Sequence, residues 1–334
     1  MKARSKEPGM HKYVSAVLIV ICLIASHRAS ALQLPGPLVE TDWLEQHLDE
    51  VRILDIRDDI ESFTRKAVLV RKRFTGDLRL GRPGAHIPGA VLVDFLNIRT
   101  SREIDDRNVR HMTPEKYGFE ALMQSWGVNN DDLIVITSLG VSNSDMTMAT
   151  RLYWQIKYFG FDNIAILDGG VMQWLLEQKT ASIASSKPQP GNWHAIEERE
   201  SLLASSEDVL NAIKDGSSQL VDTRSSGYYL GLLKRPYVRK KGHIPGAKMF
   251  PNELLTTAGP GAYFTDREDI QQMATELGIS SDANIITYCN SGQFASASWF
   301  VFSELMGNKN VKLYDGSMHQ WSIEKRPVVT MKVE

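Results

Sequence analysis

The chain has 334 residues, of which 43% are hydrophobic and 23% are charged. A chain of this length can build two domains that each have a hydrophobic core. The formal net charge of -2 at pH 7 excludes the strongly basic balance that is typical of proteins binding nucleic acid or an anionic membrane surface. We therefore expect no nucleic-acid partner.

The first 31 residues differ from the rest of the chain. A basic start is followed by the apolar run "YVSAVLIVICLIA", and "ASA" at residues 29–31 is a small-x-small cleavage pattern. This is the anatomy of a secretory signal peptide, and it is complete whether translation starts at Met1 or at Met10. The alternative is an uncleaved anchor, but the run is shorter than the roughly 20 residues that a spanning helix needs. We predict a signal peptide at residues 1–31, a periplasmic or secreted mature protein, and no membrane attachment after cleavage.

Cleavage would remove Cys22 and leave Cys289 as the only cysteine of the mature protein. A lone thiol cannot form an internal disulfide, although exported proteins usually pair their cysteines. Such a cysteine is either a buried small hydrophobe or a reactive group. The residues around Cys289 have to decide between these two interpretations.

Three motifs occur twice in the same order, which indicates a duplicated domain. The pairs are "ILDIRDD" (53–59) and "LVDTRSS" (220–226), "HIPGA" (86–90 and 243–247), and "LDGGVMQW" (167–174) and "YDGSMHQW" (314–321). We predict domains at residues 36–180 and 201–330. The Ser- and Pro-rich stretch between them, residues 181–200, is predicted to be a surface linker.

Each copy alternates short β-rich runs with helical stretches, which predicts an α/β fold with a parallel sheet flanked by helices. The predicted strands are, in chain order, "RILDI", "VLVDF", "LIVIT" and "IAILDG" in the first copy and "QLVDT", "KMFPN", "NIITYC" and "VKLYDG" in the second. The clearest helices are "PEKYGFEALMQSWG" in the first copy and "DREDIQQMATELG" and "FASASWFVFSELMG" in the second.

Cys289 follows the buried strand pattern "NIITYC" and precedes a helical pattern that ends near Gly307. A turn at the carboxyl end of a strand is where ligands bind in open α/β sheets. Free N–H groups at the start of the helix favour negative charge, so the turn is expected to stabilise a thiolate or a persulfide. Gly292 lets the backbone fold tightly around the sulfur. These features favour a reactive Cys289.

The loop "CNSGQFA" at such a turn resembles the active-site loop of the rhodanese-type sulfurtransferases. The three duplicated motifs are similar to those of the tandem two-domain members, the thiosulfate and 3-mercaptopyruvate sulfurtransferases, from Pro37 to Val328. The resemblance implies two tandem rhodanese-like domains and ping-pong transfer of sulfur from a small donor anion, through a Cys289 persulfide, to a thiol or cyanide. It also implies that the first copy is non-catalytic, because that copy has no cysteine at the equivalent position. The active-site loop that it assigns comprises Asn290, Ser291, Gly292, Gln293, Phe294 and Ala295.

The proton relay of the mercaptopyruvate enzymes is only partly matched. Ser291 matches the serine of that relay, and His111 in "VRHMTP" falls at the position of its histidine. The position of the aspartate holds Leu96 instead, and Asp94 lies two residues earlier. The thiosulfate enzymes carry basic residues after the cysteine, where this chain has Asn290 and Ser291. The sequence therefore predicts an incomplete relay and a loop closer to the mercaptopyruvate type.

A substrate-binding arginine of the family is replaced by Tyr228, four residues beyond Arg224. Arg224 and its counterpart Arg57 each follow a strand-end aspartate, so we interpret both as structural ion pairs, with Arg224 kept as a candidate substrate contact. Two basic stretches can replace the lost charge or form solvated loops. They are "KRPYVRKK" (234–241) and "TRKAVLVRKRFTGDLRLGR" (64–82).

The main alternative is a non-enzymatic persulfide carrier or a partner-binding protein, which turnover with a thiol or cyanide would separate from an enzyme. A cysteine-dependent phosphatase is disfavoured because its loop needs an arginine that clamps phosphate, and "CNSGQFAS" has none.

No cluster has metal-ligand spacing, and we expect no metal, no cofactor and a monomer. We interpret the paired residues His86 and His243 as turn-fixing, and Asp168 and Asp315 as packing and capping residues.

Overall fold

The computed structural model describes Met1 and residues 32–185, 187–257 and 261–331. The predicted signal peptide lies outside these residues, apart from Met1. From Gln33 onward the chain is one structural unit.

The first half of the chain supplies nine strands and four helices within the described residues. They are, in order, β1 (Leu38–Val39), α1 (Thr41–Gln46), β2 (Arg52–Arg57), β3 (Val68–Arg71), β4 (Leu78–Arg82), β5 (Val91–Asp94), β6 (Thr100–Ile104), β7 (Arg107–Met112), α2 (Lys116–Ser125), β8 (Ile134–Ser138), α3 (Asn143–Tyr158), β9 (Ile164–Leu167) and α4 (Gly170–Leu176).

The second half repeats this plan with shorter strands. Its described elements are α5 (Ser206–Asp215), β10 (Gln219–Asp222), α6 (Ser226–Tyr229), β11 (Lys248–Met249), β12 (Thr256–Thr257), β13 (Tyr263–Phe264), α7 (Arg267–Glu276), β14 (Ile285–Tyr288), α8 (Gln293–Phe300), β15 (Val311–Leu313) and α9 (Ser317–Ile323). A π-helical turn, Val301–Leu305, extends α8.

Two parallel sheets have the same strand order when equivalent strands are matched. The first is β5-β2-β8-β9-β1, and the second is β11-β10-β14-β15 within the described ranges. An isolated parallel bridge between Leu203 and Leu313 takes the place of β1 in the second sheet. Central strands such as β8 and β14 are buried along their whole length, because helices cover both faces of a parallel sheet. The predicted fold of two α/β copies is confirmed.

Two hairpins of the first half were not predicted. The basic stretch at residues 64–82 contains the antiparallel pair β3 and β4. Strands β6 and β7 form the second hairpin, whose turn residues Asp105 and Asp106 both have positive φ, 48° and 58°. Aspartate tolerates the left-handed region and is common in two-residue hairpin turns. The second hairpin matters for function because β7 carries His111.

The two halves share one hydrophobic core. A single cluster of buried side chains includes Leu54 and Ile136 of the first sheet and Val221 and Ile285 of the second. Helices α3 and α8, which follow equivalent strands, meet at this boundary. Their contacts include a hydrogen bond of 2.9 Å between the Thr150 and Ser296 hydroxyls.

The predicted linker packs against the first half. Trp193 is fully buried in the shared core, and its backbone N–H donates to Val128 O at 3.1 Å. A tryptophan side chain is large enough to anchor an otherwise irregular segment. Within the described ranges, no helix combines the length and the apolar content needed to cross a bilayer.

Candidate active site

Cys289 lies in the tight turn between β14 and α8, as predicted. Its side chain is 3% exposed and is a free thiol among the residues that the structure describes. The Ser291 N–H donates to Cys289 Sγ at 3.5 Å. Helix α8 begins without a side-chain cap, so its first-turn N–H groups remain available beside the sulfur. Gly292 provides the left-handed step, with φ of 81°, that lets the turn close.

The side chain of Ser317, at the start of α9, holds this turn through hydrogen bonds. Its Oγ accepts the N–H groups of Cys289 and Gly292, both at 3.1 Å, and donates to Tyr314 O at 2.8 Å. Ser317 is fully buried and has a positive φ of 49°, an unusual backbone for a residue with a side chain. One hydroxyl therefore holds two amides of the cysteine turn.

Cys289 opens into a cavity of about 240 Å³ that both halves of the chain build. The first half contributes Arg99 and His111, and the second contributes the cysteine turn and the loop before β11. The lining residues are Arg99, His111, Arg235, Tyr237, Cys289, Asn290, Ser291, Gln293 and Phe294. A larger cavity of about 620 Å³ beside α7 includes no residue of the cysteine turn, so size does not identify the site.

The cavity is positively charged. Neither Arg99 nor Arg235 has a carboxylate within ion-pair distance in the described part of the chain. The Arg99 guanidinium stacks 3.8 Å from the Phe95 ring centroid, and Arg235 lies 5.7 Å from that of Tyr228. Burial, followed by the nearby Arg151, lowers the pKa of Arg99 to about 10, so it remains a cation at neutral pH. Two unpaired guanidinium groups suit a small anion.

Tyr237 stands between the cysteine turn and His111. Its hydroxyl is 3.2 Å from Ser291 Oγ, and its ring meets the His111 ring edge-on at a centroid distance of 5.1 Å. Burial, reinforced by Arg99 and other cations, lowers the pKa of His111 to about 4. The imidazole is therefore neutral at physiological pH. His111 also has a positive φ of 65°, a strained backbone of the kind that clusters at functional sites.

A buried ion pair connects the two halves beneath the turn. Arg151 of α3 lies 2.6 Å from Asp315, and the other oxygen of Asp315 accepts the Thr113 N–H at 2.8 Å. Arg151 also donates to Thr113 Oγ1 at 2.9 Å. Because Thr113 follows His111 closely and Asp315 precedes Ser317, this cluster joins the two walls of the cavity.

The structure brings together most of the predicted site residues. Cys289, Asn290, Ser291, Gln293, Phe294 and His111 line one cavity, whereas Gly292 and Ala295 lie behind it. Asp94 does not reach the cavity, because its carboxylate accepts the Leu96 N–H at 2.8 Å. The predicted relay is not assembled, since the Ser291 hydroxyl meets Tyr237 rather than His111. Tyr228 lies outside the lining and contacts Arg235.

Arg224 does not face the cavity. It forms the predicted ion pair with Asp222 at 2.6 Å, and Arg57 does the same with Asp55 at 2.6 Å. Each arginine also donates to a backbone carbonyl, Gly242 O for Arg224 and Ala85 O for Arg57. Arg224 is buried in this pairing and is not among the residues that line the cavity. Arg224 as a substrate contact is therefore not supported by its position.

The paired histidines and aspartates also have structural positions. His86 and His243 each place Nδ1 2.8 Å from a backbone carbonyl and stack on an aromatic ring. Asp168 and Asp315 reach across the boundary between the halves, because Asp168 accepts the Phe264 N–H at 3.0 Å. This is a larger role than the packing and capping that the sequence indicated.

Sequence reasoning missed Arg99, Tyr237, Arg151 and Ser317. Tyr237 and Arg235 belong to the basic run at 234–241, whose charge was noted without deciding which side chains face the cysteine. The other basic stretch, at 64–82, contributes no residue to this cavity. Across the described ranges, no group of three or more acidic, histidine or cysteine side chains is arranged to hold a metal ion.

Comparisons with known proteins agree with this geometry. The model of the rhodanese-like domain matches the chain twice, at residues 40–177 and 205–324. The sulfur carrier protein TtuD of Thermus thermophilus is 31% identical over 298 residues, covering 86% of this chain and 94% of TtuD. A provisionally named thiosulfate sulfurtransferase of Saccharopolyspora erythraea is 31% identical over 292 residues, covering 85% and 92%. The crystal structure of the 3-mercaptopyruvate sulfotransferase SseA from Escherichia coli superposes with a TM-score of 0.68 at 25% identity, covering 84% of this chain and 98% of SseA.

Proposed function

Because this chain belongs to the rhodanese-like domain family, we propose that it is a sulfurtransferase that carries sulfane sulfur as a persulfide on Cys289. The observation that carries this proposal is the cysteine turn itself. Cys289 faces a cavity with two arginines that have no carboxylate partner among the described residues, and the Ser291 N–H points at its sulfur. The relatives, a sulfur carrier and two sulfurtransferases by name, support the same chemistry.

The reaction has two covalent steps. The Cys289 thiolate attacks the outer sulfur of the donor, so a new S–S bond forms and the donor's bond to that sulfur breaks. The electron pair leaves with sulfite when the donor is thiosulfate, and with the pyruvate enolate, which takes up a proton, when it is 3-mercaptopyruvate. An acceptor thiolate then attacks the outer sulfur and releases the Cys289 thiolate. The loop amides stabilise the charge on sulfur in both steps.

Arg99 and Arg235 hold the anionic end of the donor in this proposal. They replace the cation that Tyr228 displaces, and both line the cavity beside Cys289. Neutral His111 and the Tyr237 hydroxyl line the same cavity as Ser291 and are groups that can move a proton. The donor class is a small anion of the thiosulfate or 3-mercaptopyruvate type, and the loop sequence favours the second.

The first experiment is intact mass spectrometry of the purified protein before and after each donor. We expect a gain of one sulfur atom with at least one donor, its removal by a thiol or cyanide, and no gain in Cys289→Ser. Release of pyruvate or sulfite over many turnovers identifies an enzyme. A single sulfur that is released only to one protein partner identifies the alternative, a persulfide carrier. A gain of sulfur by Cys289→Ser would overturn the assignment of Cys289.

We also propose that the mature protein is an exported monomer that begins at Leu32. The basic start, apolar run and "ASA" pattern of residues 1–31 support this. N-terminal sequencing of the protein from a cell-envelope or culture fraction should start at Leu32. Recovery of uncleaved chain from the cytoplasm alone would overturn export, and a dimer by light scattering would overturn the monomer.

A further inference from the structure

A second cavity, of about 460 Å³, lies beside the catalytic one. The two cavities share Tyr237 as a lining residue. Strand β7 contributes Arg110 to the second cavity and the adjacent His111 to the catalytic one. The facing loop contributes to both cavities, with Arg235 in the catalytic cavity and Arg239 in the second.

Tyr237 separates the two cavities. Its ring lies between two imidazoles, with a centroid distance of 5.1 Å to His111 on the catalytic side and 5.2 Å to His319 on the other. Its hydroxyl contacts Ser291 of the cysteine turn at 3.2 Å. The shared wall thus includes a single aromatic side chain that touches the turn next to Cys289.

The second cavity carries two arginines without counter-charges. Neither Arg110 nor Arg239 lies within ion-pair distance of a carboxylate in the described ranges, whereas Arg57, Arg151 and Arg224 each have an aspartate at 2.6 Å. The side chains of Arg110 and Arg239 are both exposed, so water screens their mutual repulsion, and both guanidinium groups remain free to bind an anion.

His319 adds a third polar group to this wall. Its Nδ1 accepts the Arg110 N–H at 3.2 Å, so the neutral ring carries its proton on Nε2 and can donate a further hydrogen bond. The cavity therefore combines two free cations with a neutral donor.

We propose that this second cavity is the binding subsite for a carboxylate-bearing thiol acceptor, such as a small cysteine peptide. The inference rests on the proposed sulfurtransferase function. The catalytic cavity is large enough for a small donor only. An acceptor that binds in the second cavity and delivers its sulfur to Cys289 must carry its carboxylates several bonds away from the sulfur. Arginines on two facing elements match two separate carboxylates.

The transfer step then has a defined geometry. Arg110 and Arg239 hold the acceptor carboxylates, the Tyr237 ring turns out of the shared wall, and the acceptor thiolate then attacks the outer sulfur of the persulfide. An S–S bond forms on the acceptor, the S–S bond to Cys289 breaks, and the electron pair returns to Cys289 Sγ. The acceptor leaves as a persulfide, and no further oxidant or reductant is needed.

The test compares two acceptors that differ only in charge, a cysteine-centred tripeptide with carboxylates on both outer residues and its diester. For Arg239→Ala and Arg110→Ala we expect kcat/KM for the free acid to fall about tenfold relative to the diester. Arg267→Ala removes an exposed arginine that lines neither cavity, and its ratio should match that of the wild type. Equal effects on both acceptors, or on neither, would overturn the subsite.

A binding measurement separates this inference from the proposed function. In Cys289→Ser no sulfur can be transferred, and calorimetry should still detect the free acid but not the diester. Adding Arg239→Ala should abolish that binding. Arginine-dependent binding without any persulfide chemistry in the wild type would keep the subsite and reject the sulfurtransferase. Persulfide transfer in the wild type, together with acceptor binding that does not depend on Arg239, would keep the sulfurtransferase and reject the subsite.

Discussion

In the first domain the turn between β8 and α3 is closed by its own carboxylate, whereas in the second domain the turn between β14 and α8 has no internal carboxylate and is held by the Ser317 hydroxyl. Asp145 accepts the N–H groups of Val141 and Ser142, both at 2.9 Å, and forms a capping box with Ser142. Helix α8 has no such cap, and a turn amide points at Cys289 instead. The same strand–helix turn is structural when an internal anion satisfies its amides and reactive when a sulfur takes that place.

The equivalent positions confirm that the difference is chemical. Sheet register places Ser138 at the end of β8 where the second domain has Cys289 just after β14, since Asp55 pairs with Thr137 and Asp222 pairs with Tyr288. A cavity of about 280 Å³ lies beside the first turn too, but Glu253 lines it where the second has arginines. The first domain therefore lacks the thiol and also the positive charge that a donor anion needs.

The largest effect is expected from Gly292→Ala. A Cβ at this position would lie 2.5 Å from Asp315 Oδ1 and 2.8 Å from Arg151 Nη1, so the turn has to move off the buried ion pair. We expect persulfide formation to be lost and the protein to be destabilised. Mass spectrometry after donor treatment and a urea unfolding curve measure the two effects.

Gly307→Ala is the matched control for this substitution. Its φ of 82° is nearly that of Gly292, and nothing lies within 4 Å of the added Cβ. The left-handed backbone alone should cost about 1–2 kcal/mol, with persulfide formation retained. If the two variants behave alike, the ion pair beneath the turn does not constrain the cysteine loop.

The second prediction compares the two equivalent aspartates. Asp315→Asn leaves Arg151 as an uncompensated buried charge, so we expect the free energy of unfolding to fall by about 3–5 kcal/mol. Asp168 has no arginine partner within the described ranges, and burial raises its pKa to about 6. Asp168→Asn keeps an oxygen that can accept the Phe264 N–H, so stability at pH 7 should not fall by more than about 1 kcal/mol.

The pH dependence distinguishes these aspartates further. The folded protein holds a proton on Asp168 more tightly than the unfolded chain does, because its pKa is raised above the ordinary value of 3.8. The contribution of this carboxyl to stability is therefore greatest below about pH 4 and is lost as the pH rises through 6, by up to about 3 kcal/mol. Unfolding curves of Asp168→Asn between pH 4 and 7 should show a weaker dependence of stability on pH than those of the wild type. If the pH dependence of stability is unchanged in this variant, a group other than Asp168 is responsible for it.

The features that depend on local sequence were predictable. The strands of the two parallel sheets, the cysteine turn between β14 and α8, and the Asp222–Arg224 ion pair all follow from residues that are close in the chain, whereas the two hairpins do not. The surroundings of the turn were less accessible, because Arg99 and Arg151 come from the other domain and Tyr237 comes from a loop far from Cys289 in the chain. No local spacing in the sequence encodes these approaches. The left-handed conformation of His111 likewise becomes visible only in the folded backbone.

The third prediction concerns the first domain's contribution to the second domain's chemistry. Since burial and neighbouring cations lower the pKa of His111 to about 4, the imidazole stays neutral above about pH 5. We expect kcat/KM to show no acid limb near the ordinary histidine pKa of about 6.5 that is attributable to His111. His111→Gln should lower kcat/KM about a hundredfold at pH 7, the smallest loss that is typical for a group that helps to move a proton. A limb near pH 6.5 that disappears in His111→Gln would contradict the neutral imidazole.

The smallest effect is expected when a thiol is returned to the first domain. In the Cys289→Ser background, Ser138→Cys should gain no sulfur from either donor. The side chain of Ser138 is 1% exposed, Asp145 already occupies the turn amides, and Glu253 repels an anion from the adjacent cavity. Intact mass spectrometry measures the result. Adding Asp145→Ala frees the amides but leaves Glu253, so the gain should still be far below that of Cys289. If Ser138→Cys gained a full sulfur atom without Asp145→Ala, neither the Asp145 cap nor the charge of Glu253 would explain why the first turn is inactive. The missing thiol would then be a sufficient reason for the inactivity of the first domain.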